Sequence, residues 1–360
     1  MVRNPVKYLN FLLIFIPIAV LADLLQLNPV LVFALSALGI VPLAGVLGKA
    51  TEELAVYAGS KVGGFLNATF GNAAELIITL VAVRAGLLEV VKASITGSIL
   101  GNLLLVMGLS MLLGGLKHGI QRFDRLAAGN SSAMLALAVI GLGIPAVFSH
   151  TIDMVNHDAV EWLSIGVAGV LIVLYFLSLI FSFASNSRGA RGSLMPGDEI
   201  LEAKPEWSKR KAILVLLGAT LLVVVMSEVL VGSIEASVKT LGLTEFFVGV
   251  IIVPIIGNVA EHLVAVQAAL KNKMELSMEV AVGSSMQIAL FVAPFLVFAS
   301  IFLGNPMTLI FNQFELITLG AAVAISALIS LDGRSHWMEG AQLLAVYAII
   351  ALAFFFLPAA

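Results

Sequence analysis

The chain has 360 residues, of which 60% are hydrophobic and 11% charged. A soluble domain carries about 25% charged residues, so this composition excludes a water-soluble globular protein. A net charge of −3 gives no reason to expect nucleic acid, and the absence of cysteine excludes disulfides and thiolate metal sites.

Apolar runs long enough to cross a hydrocarbon core recur from end to end and predict eleven spans. They fall at about 9–27, 29–47, 64–83, 93–115, 127–148, 159–184, 211–232, 246–269, 278–303, 308–330 and 338–358. The first run is too long for a signal-peptide core and is read as a retained helix. A more polar helical stretch, 48–64, separates the second span from the third. The longest polar segment, 185–210, carries Gly, Pro and charge, and it divides the chain nearly in half. With the N-terminus placed in the cytoplasm, sixteen Lys and Arg fall inside, and only Arg84, Lys92 and Lys239 fall outside. That asymmetry supports eleven spans and places the C-terminus outside.

The halves repeat. A gapless shift of 186 residues lays Gly71-Asn72-Ala73-Ala74-Glu75 on Gly257-Asn258-Val259-Ala260-Glu261. The same shift lays Gly63 on Gly249, Glu89 on Glu275 and Gly97-Ser98 on Gly283-Ser284. Five spans in each repeat, an odd number, invert the second relative to the first. The expected fold is an all-α membrane protein of about eleven transmembrane helices. A peripheral N-terminal helix (1–28) precedes two inverted five-helix repeats (29–184 and 211–360), which a cytoplasmic linker (185–210) joins. Inverted repeats with a midplane site are a transporter architecture.

Glu75 and Glu261 lie near the middle of their spans. A carboxylate there costs a few kcal/mol even on lenient insertion scales and marks an ion pathway more often than a structural contact. Asn72 and Asn258 precede the two glutamates by three residues, on nearly the same helix face. Gly71 and Gly257 allow local unwinding, and Pro254 removes a backbone donor one turn before Glu261. The following spans add Ser98 and Asn102 at i, i+4, and Ser284 and Gln287 at i, i+3. Two carboxylates, amides and hydroxyls without sulfur make a hard-cation site, and Ca²⁺ takes six to eight oxygens in flexible geometry. His262, beside Glu261, points about 100° away on a regular helix and suits a supporting or proton-pathway role better than ligation. In a desolvated cavity two neighbouring carboxylates resist being ionised together, so protons and Ca²⁺ compete for the same oxygens. Exchange for H⁺ and exchange for Na⁺ both fit this chemistry.

The paired Gly-Asn-x-Ala-Glu motifs, followed by the Gly-Ser helices at 97 and 283, resemble the signature of the cation/proton exchanger family. These are the Ca²⁺/H⁺ antiporters of the Ca²⁺:cation antiporter superfamily. The resemblance covers about 29–358 and implies Ca²⁺ and H⁺ as transported substrates, with no cofactor. It implies that Glu75 and Glu261 bind the ion, with Asn72, Asn258, Ser98, Asn102, Ser284 and Gln287 completing the cavity. It also matches the peripheral first helix, and it sets Asp198, Glu199, Glu202 and Glu206 against an acidic segment of the family. That cluster is short here and reads as solvated linker. The Gly-Thr-Ser and Pro-Glu or Pro-Asp motifs of sodium/calcium exchangers are missing. The short polar N-terminus suggests a prokaryotic plasma membrane.

Weaker signals have two readings each. Glu228 and Glu235 form either an electronegative mouth or ordinary interfacial positions. Glu52 and Glu53 either line the cytoplasmic mouth or, for Glu53, pair with Lys49 at i, i+4. Asp23 reads as interfacial. The rivals to Ca²⁺/H⁺ exchange are Na⁺-coupled exchange, Mn²⁺ as cargo, and a cation channel. A single midmembrane His and no Cys argue against an intramembrane hydrolase, so no enzyme is expected. A homo-oligomer is left open.

Overall fold

The structure, a computed structural model, describes residues 5–153, 157–186 and 205–357. Fourteen α-helices carry the fold among them. A 3₁₀ turn, Pro5–Ile14, leads into α1 (Phe15–Leu24), followed by α2 (Pro29–Phe70), α3 (Ala73–Arg84), α4 (Leu88–Leu100) and α5 (Met107–His118). Next come α6 (Arg125–Asp153) and α7 (His157–Asn186). After the linker run α8 (Lys209–Leu241), the short α9 (Glu245–Phe247), α10 (Val253–Leu270) and α11 (Met274–Gln287). The chain closes with α12 (Ala293–Leu303), α13 (Gln313–Ile329) and α14 (Trp337–Phe355). The only strands among these residues are β1 (Gln121–Arg122) and β2 (Arg334–Ser335), paired antiparallel. The protein is an all-α membrane protein built from inverted repeats. Among the described residues, nine helical segments are long and apolar enough to cross a membrane, and Leu9–Leu24 is a shorter apolar helix.

Two predicted boundaries move. The second span does not stop at residue 47: α2 runs on through the polar stretch to a break at Gly59, whose φ of 78° an L-residue rarely adopts. The third span is not one helix, because a turn at Gly71-Asn72 separates the end of α2 from α3. Asn72 is therefore the residue that starts α3, and Glu75 sits in its first turn. Gly257, by contrast, stays helical inside α10. The looser geometry of that repeat lies earlier, in a π-helical segment at Val248–Ile252 just before Pro254. Two more π-helical segments, Gly101–Val106 and Ile288–Val292, follow α4 and α11 directly. π-bulges occur preferentially at functional positions, and all three flank residues of the repeated motifs.

Packing follows the logic of a lipid-dissolved protein. Large apolar side chains such as Leu214, Leu221, Val173, Ile180 and Phe302 point outward, whereas small residues bring backbones together inside. At Gly97 of α4 a Cβ would run into the Val250 carbonyl and the Pro254 ring. Reciprocally, a Cβ on Gly249 would meet Ala93 Cβ at 2.8 Å and the Val90 carbonyl at 2.9 Å. The glycines of one repeat thus seat a helix of the other. The same exchange recurs at the helix level: α10 packs on α5 and α2, while α3 packs on α8 and α12.

Both site helices also end alike. Asn305 donates to the Val83 and Arg84 carbonyls at the end of α3 (3.0 and 3.2 Å). Gln121 and Lys117 donate to the Ala269 and Leu270 carbonyls at the end of α10 (2.9 and 2.8 Å). These bonds satisfy carbonyls that a helix leaves unpaired at its C-terminus, and each cap comes from the opposite repeat.

Candidate functional site

The starts of α3 and α4's last turn meet the middle of α10 and the last turn of α11 in the interior. Seven of the eight residues singled out in the sequence are buried there: Asn72, Glu75, Ser98, Asn102, Asn258, Ser284 and Gln287. Glu261, the eighth, is half-buried, yet its Oε2 atom is enclosed and has no hydrogen-bond partner.

The hydrogen bonds run between repeats. Asn72 donates through Nδ2 to Gln287 Oε1 at 2.8 Å and accepts at Oδ1 from the Ser284 hydroxyl at 3.0 Å. Asn258 donates through Nδ2 to Ser98 Oγ at 3.0 Å, and the Ser98 hydroxyl in turn donates to Glu75 Oε1. Asn258 also reaches the Glu75 carboxylate, and Ser284 reaches that of Glu261. Each motif Asn is therefore held by a Ser of the other half, at matching positions under the 186-residue shift. The α10 backbone presses against this cluster: a Cβ on Gly257 would touch Glu75 Cβ at 3.4 Å.

Three buried atoms in the cluster stay unpaired: Glu75 Oε2, Glu261 Oε2 and Asn102 Nδ2. A buried polar atom without a partner costs on the order of 1–3 kcal/mol, more for a charged group. The described residues contain no group of three or more His, Asp or Glu able to hold a metal. A cation here would take its remaining oxygens from amides, hydroxyls and water, a donor set suited to Ca²⁺ and poor for transition metals. His262 Nε2 is also enclosed and unpartnered.

The weaker sequence signals fare differently. Glu228 is bonded to Arg84 at 2.7 Å, so it is a structural ion pair joining α8 to α3 and not a free acidic mouth. Lys49 pairs with Glu206 at 2.7 Å instead of Glu53, because Glu53 accepts the Trp207 backbone N–H at 3.0 Å. Asp198, Glu199 and Glu202 lie outside the described residues. Asp23 and Glu235 are exposed. Glu315 went unnoticed in the sequence: it is buried at the start of α13, accepting from Thr96 at 3.1 Å and from its own helix cap at Asn312 (2.8 Å). The Asn-x-x-Glu spacing of a capping box was the signal for it.

This fold and this paired cluster define a cation exchanger, and the chain belongs to the family described as "Sodium/calcium exchanger protein", whose profile matches residues 28–184 and 211–356. Within it the chain is similar to proteins named for calcium and proton exchange. It is 48% identical to the Ca(2+)/H(+) antiporter of Aphanothece halophytica, covering 96% of each chain. It is 49% identical to the Ca(2+)/H(+) antiporter of Synechocystis sp., covering 98% of each. A solved structure of native YfkE superposes with a TM-score of 0.84 at 41% identity, covering 97% of this chain and 100% of that one. The resemblance to cation/proton exchangers read from the paired motifs is thereby borne out.

Proposed function

We propose that the chain is a secondary active antiporter that exchanges Ca²⁺ for H⁺ by alternating access. Glu75 and Glu261 hold the ion at the midplane, and Asn72, Asn258, Ser98, Asn102, Ser284 and Gln287 complete its shell. The observation that carries this reading is the pair of unpartnered carboxylate oxygens, one per repeat, inside a cage of amide and hydroxyl groups. The same oxygens accept either a divalent cation or protons, so occupancy by one expels the other. Alternating exposure of the cage to the two sides then makes that competition an exchange. The names of the relatives favour H⁺ over Na⁺ as the counter-ion.

Proteoliposomes loaded with buffer and given external ⁴⁵Ca²⁺ test the assignment. An acidic interior at equal Na⁺ drives uptake, with proton movement outward; a Na⁺ gradient at equal pH drives none. Flux that follows Na⁺ and ignores pH would overturn the proton reading, and flux with neither gradient coupled to it would favour a channel. Competition by Mn²⁺ in the same assay measures the breadth of cargo.

The reading carries a topology. In a prokaryotic plasma membrane the N-terminus and the 185–210 linker face the cytoplasm, 29–184 and 211–360 form the two repeats, and the C-terminus lies outside. Because the native chain has no cysteine, Arg84→Cys and Lys273→Cys can each be labelled cleanly with an impermeant thiol reagent. Arg84→Cys labels from outside and Lys273→Cys only from inside; labelling of both from one side would contradict the inverted arrangement.

A further inference from the structure

The end of the linker is docked on α2 with more care than a solvated connection requires. Lys49, Glu53 and Tyr57 recur every four residues and so share one face of α2. All three engage the dipeptide Glu206-Trp207. Lys49 Nζ pairs with Glu206 Oε2 at 2.7 Å. The Trp207 N–H donates to Glu53 Oε2 at 3.0 Å, and its carbonyl accepts from the Tyr57 hydroxyl at 2.6 Å. Two ammonium groups approach the indole ring, Lys211 at 4.7 Å and Lys49 at 5.3 Å from its centroid. A tryptophan face attracts such cations. One residue thus has both backbone groups engaged and two cations against its ring. Glu53 itself is buried, so without the Trp207 N–H its carboxylate would lose a hydrogen-bond donor inside the protein.

The position of this clasp gives it a consequence for the ion site. Ser208, the next residue, caps α8 by accepting from the Lys211 N–H, so the clasp fastens α2 directly to the start of α8. Two residues beyond Tyr57, α2 breaks at Gly59. Everything from there to Gly71-Asn72 hangs between that break and the turn that opens α3. The clasp therefore sets the direction from which the chain reaches Asn72 and Glu75.

We infer that Trp207 is a positioning residue for exchange, which acts by fixing α2 ahead of the Gly59 break and so holding the segment that delivers Asn72 and Glu75 to the cage. It rests on the exchange reading above, but its structural arm does not need transport. The groups that Trp207 engages, on Lys49, Glu53, Tyr57 and Lys211, are not cage residues, so its loss changes rate more than ion affinity.

Two measurements on the full chain test this. In the first, Val62→Cys, an exposed position just past the break, reports the order of the segment through its rate of thiol labelling. Trp207→Ala, which keeps the backbone bonds but removes the ring that the two ammonium groups approach, raises that rate severalfold, and Trp207→Phe, which keeps a ring, leaves it near that of the native residue. Equal rates in all three overturn the proposal whether or not the protein transports. In the second, gradient-driven Ca²⁺ uptake is followed in proteoliposomes. Trp207→Ala lowers the maximal rate about tenfold and leaves the half-saturating Ca²⁺ concentration within about twofold. A short reversible bis-thiol linker between Lys49→Cys and Glu206→Cys restores the rate, and reduction abolishes the rescue. With Trp207 intact the same linker leaves transport unchanged; a block there would overturn the proposal on a protein whose fold is not in question. Wild-type protein that shows no proton-driven flux sinks the exchange reading instead, and leaves the labelling result to decide the role of Trp207.

Discussion

Glu75→Gln and Glu261→Gln are each expected to abolish Ca²⁺ transport. The change preserves size and most hydrogen bonding: a glutamine at 75 still accepts from Ser98, and one at 261 still meets Ser284. What it removes is one of two formal charges facing a divalent ion. At contact distance in a partly buried site, one unit charge is worth several kcal/mol. Losing even about 3 kcal/mol weakens binding roughly a hundredfold. Initial rates of ⁴⁵Ca²⁺ uptake measure the loss, and the thermal stability of the purified protein checks that the cage still folds. Near-normal flux in either variant would remove the ion site from this location. Asn72 and Gln287 bond each other, and their place can be taken by water, so their substitution by Ala weakens transport without eliminating it.

The second large effect is on pH. Metal must displace any protons carried by the two carboxyls, so binding Ca²⁺ releases protons, and by linkage Ca²⁺ affinity strengthens as pH rises. The sign is fixed: lowering pH favours the protonated, empty cage, and raising it favours the Ca²⁺-loaded one. Where both carboxyls are protonated before the ion arrives, the limit is about a hundredfold in affinity per pH unit, two protons per ion. Once both are ionised in the empty cage the curve is flat. Two carboxyls that hold one ion titrate together, so the curve belongs to the pair and not to either residue. Equilibrium ⁴⁵Ca²⁺ binding across pH measures it. An affinity independent of pH over the whole range where transport occurs would remove these carboxylates from proton coupling. In the Glu→Gln variants the limiting slope falls to about tenfold per pH unit, since one titrating group remains.

Much of this was legible in the sequence because its signals are of kinds that lipid makes unambiguous. A hydrocarbon solvent tolerates few polar groups, so a Glu with an Asn three residues before it, present twice in one register, stands out from an apolar background. The Ser98 and Ser284 positions followed from the same register, and the structure brings both into the cluster. What the sequence hid depends on backbone detail. Gly71 and Gly257 are equivalent by motif, yet a turn forms at the first and an unbroken helix at the second. Composition around the two differs little, and the π-helical segment at Val248–Ile252 relieves the second repeat before its glycine is reached. Lys49 was read against Glu53 because i, i+4 spacing is visible along one helix. Its partner, Glu206, is 157 residues away, a pairing that only tertiary structure creates. Trp207 carried a faint signal, an aromatic residue amid the charges of a polar linker.

The bonds that cross between repeats bear on how the protein is made. Asn72 has its hydrogen-bond partners at Ser284 and Gln287, and Glu75 depends in part on Asn258. The first half therefore enters the membrane before those partners exist. Ribosomes add about 5–20 residues per second, so roughly ten to forty seconds separate synthesis of Asn102 from that of Gln287. Throughout that interval Asn72 lacks both of its side-chain partners, and Glu75 has only the Ser98 hydroxyl of its own half. Biogenesis of this transporter must shelter those side chains, in water or against the insertion machinery, until the second half arrives to close the cage.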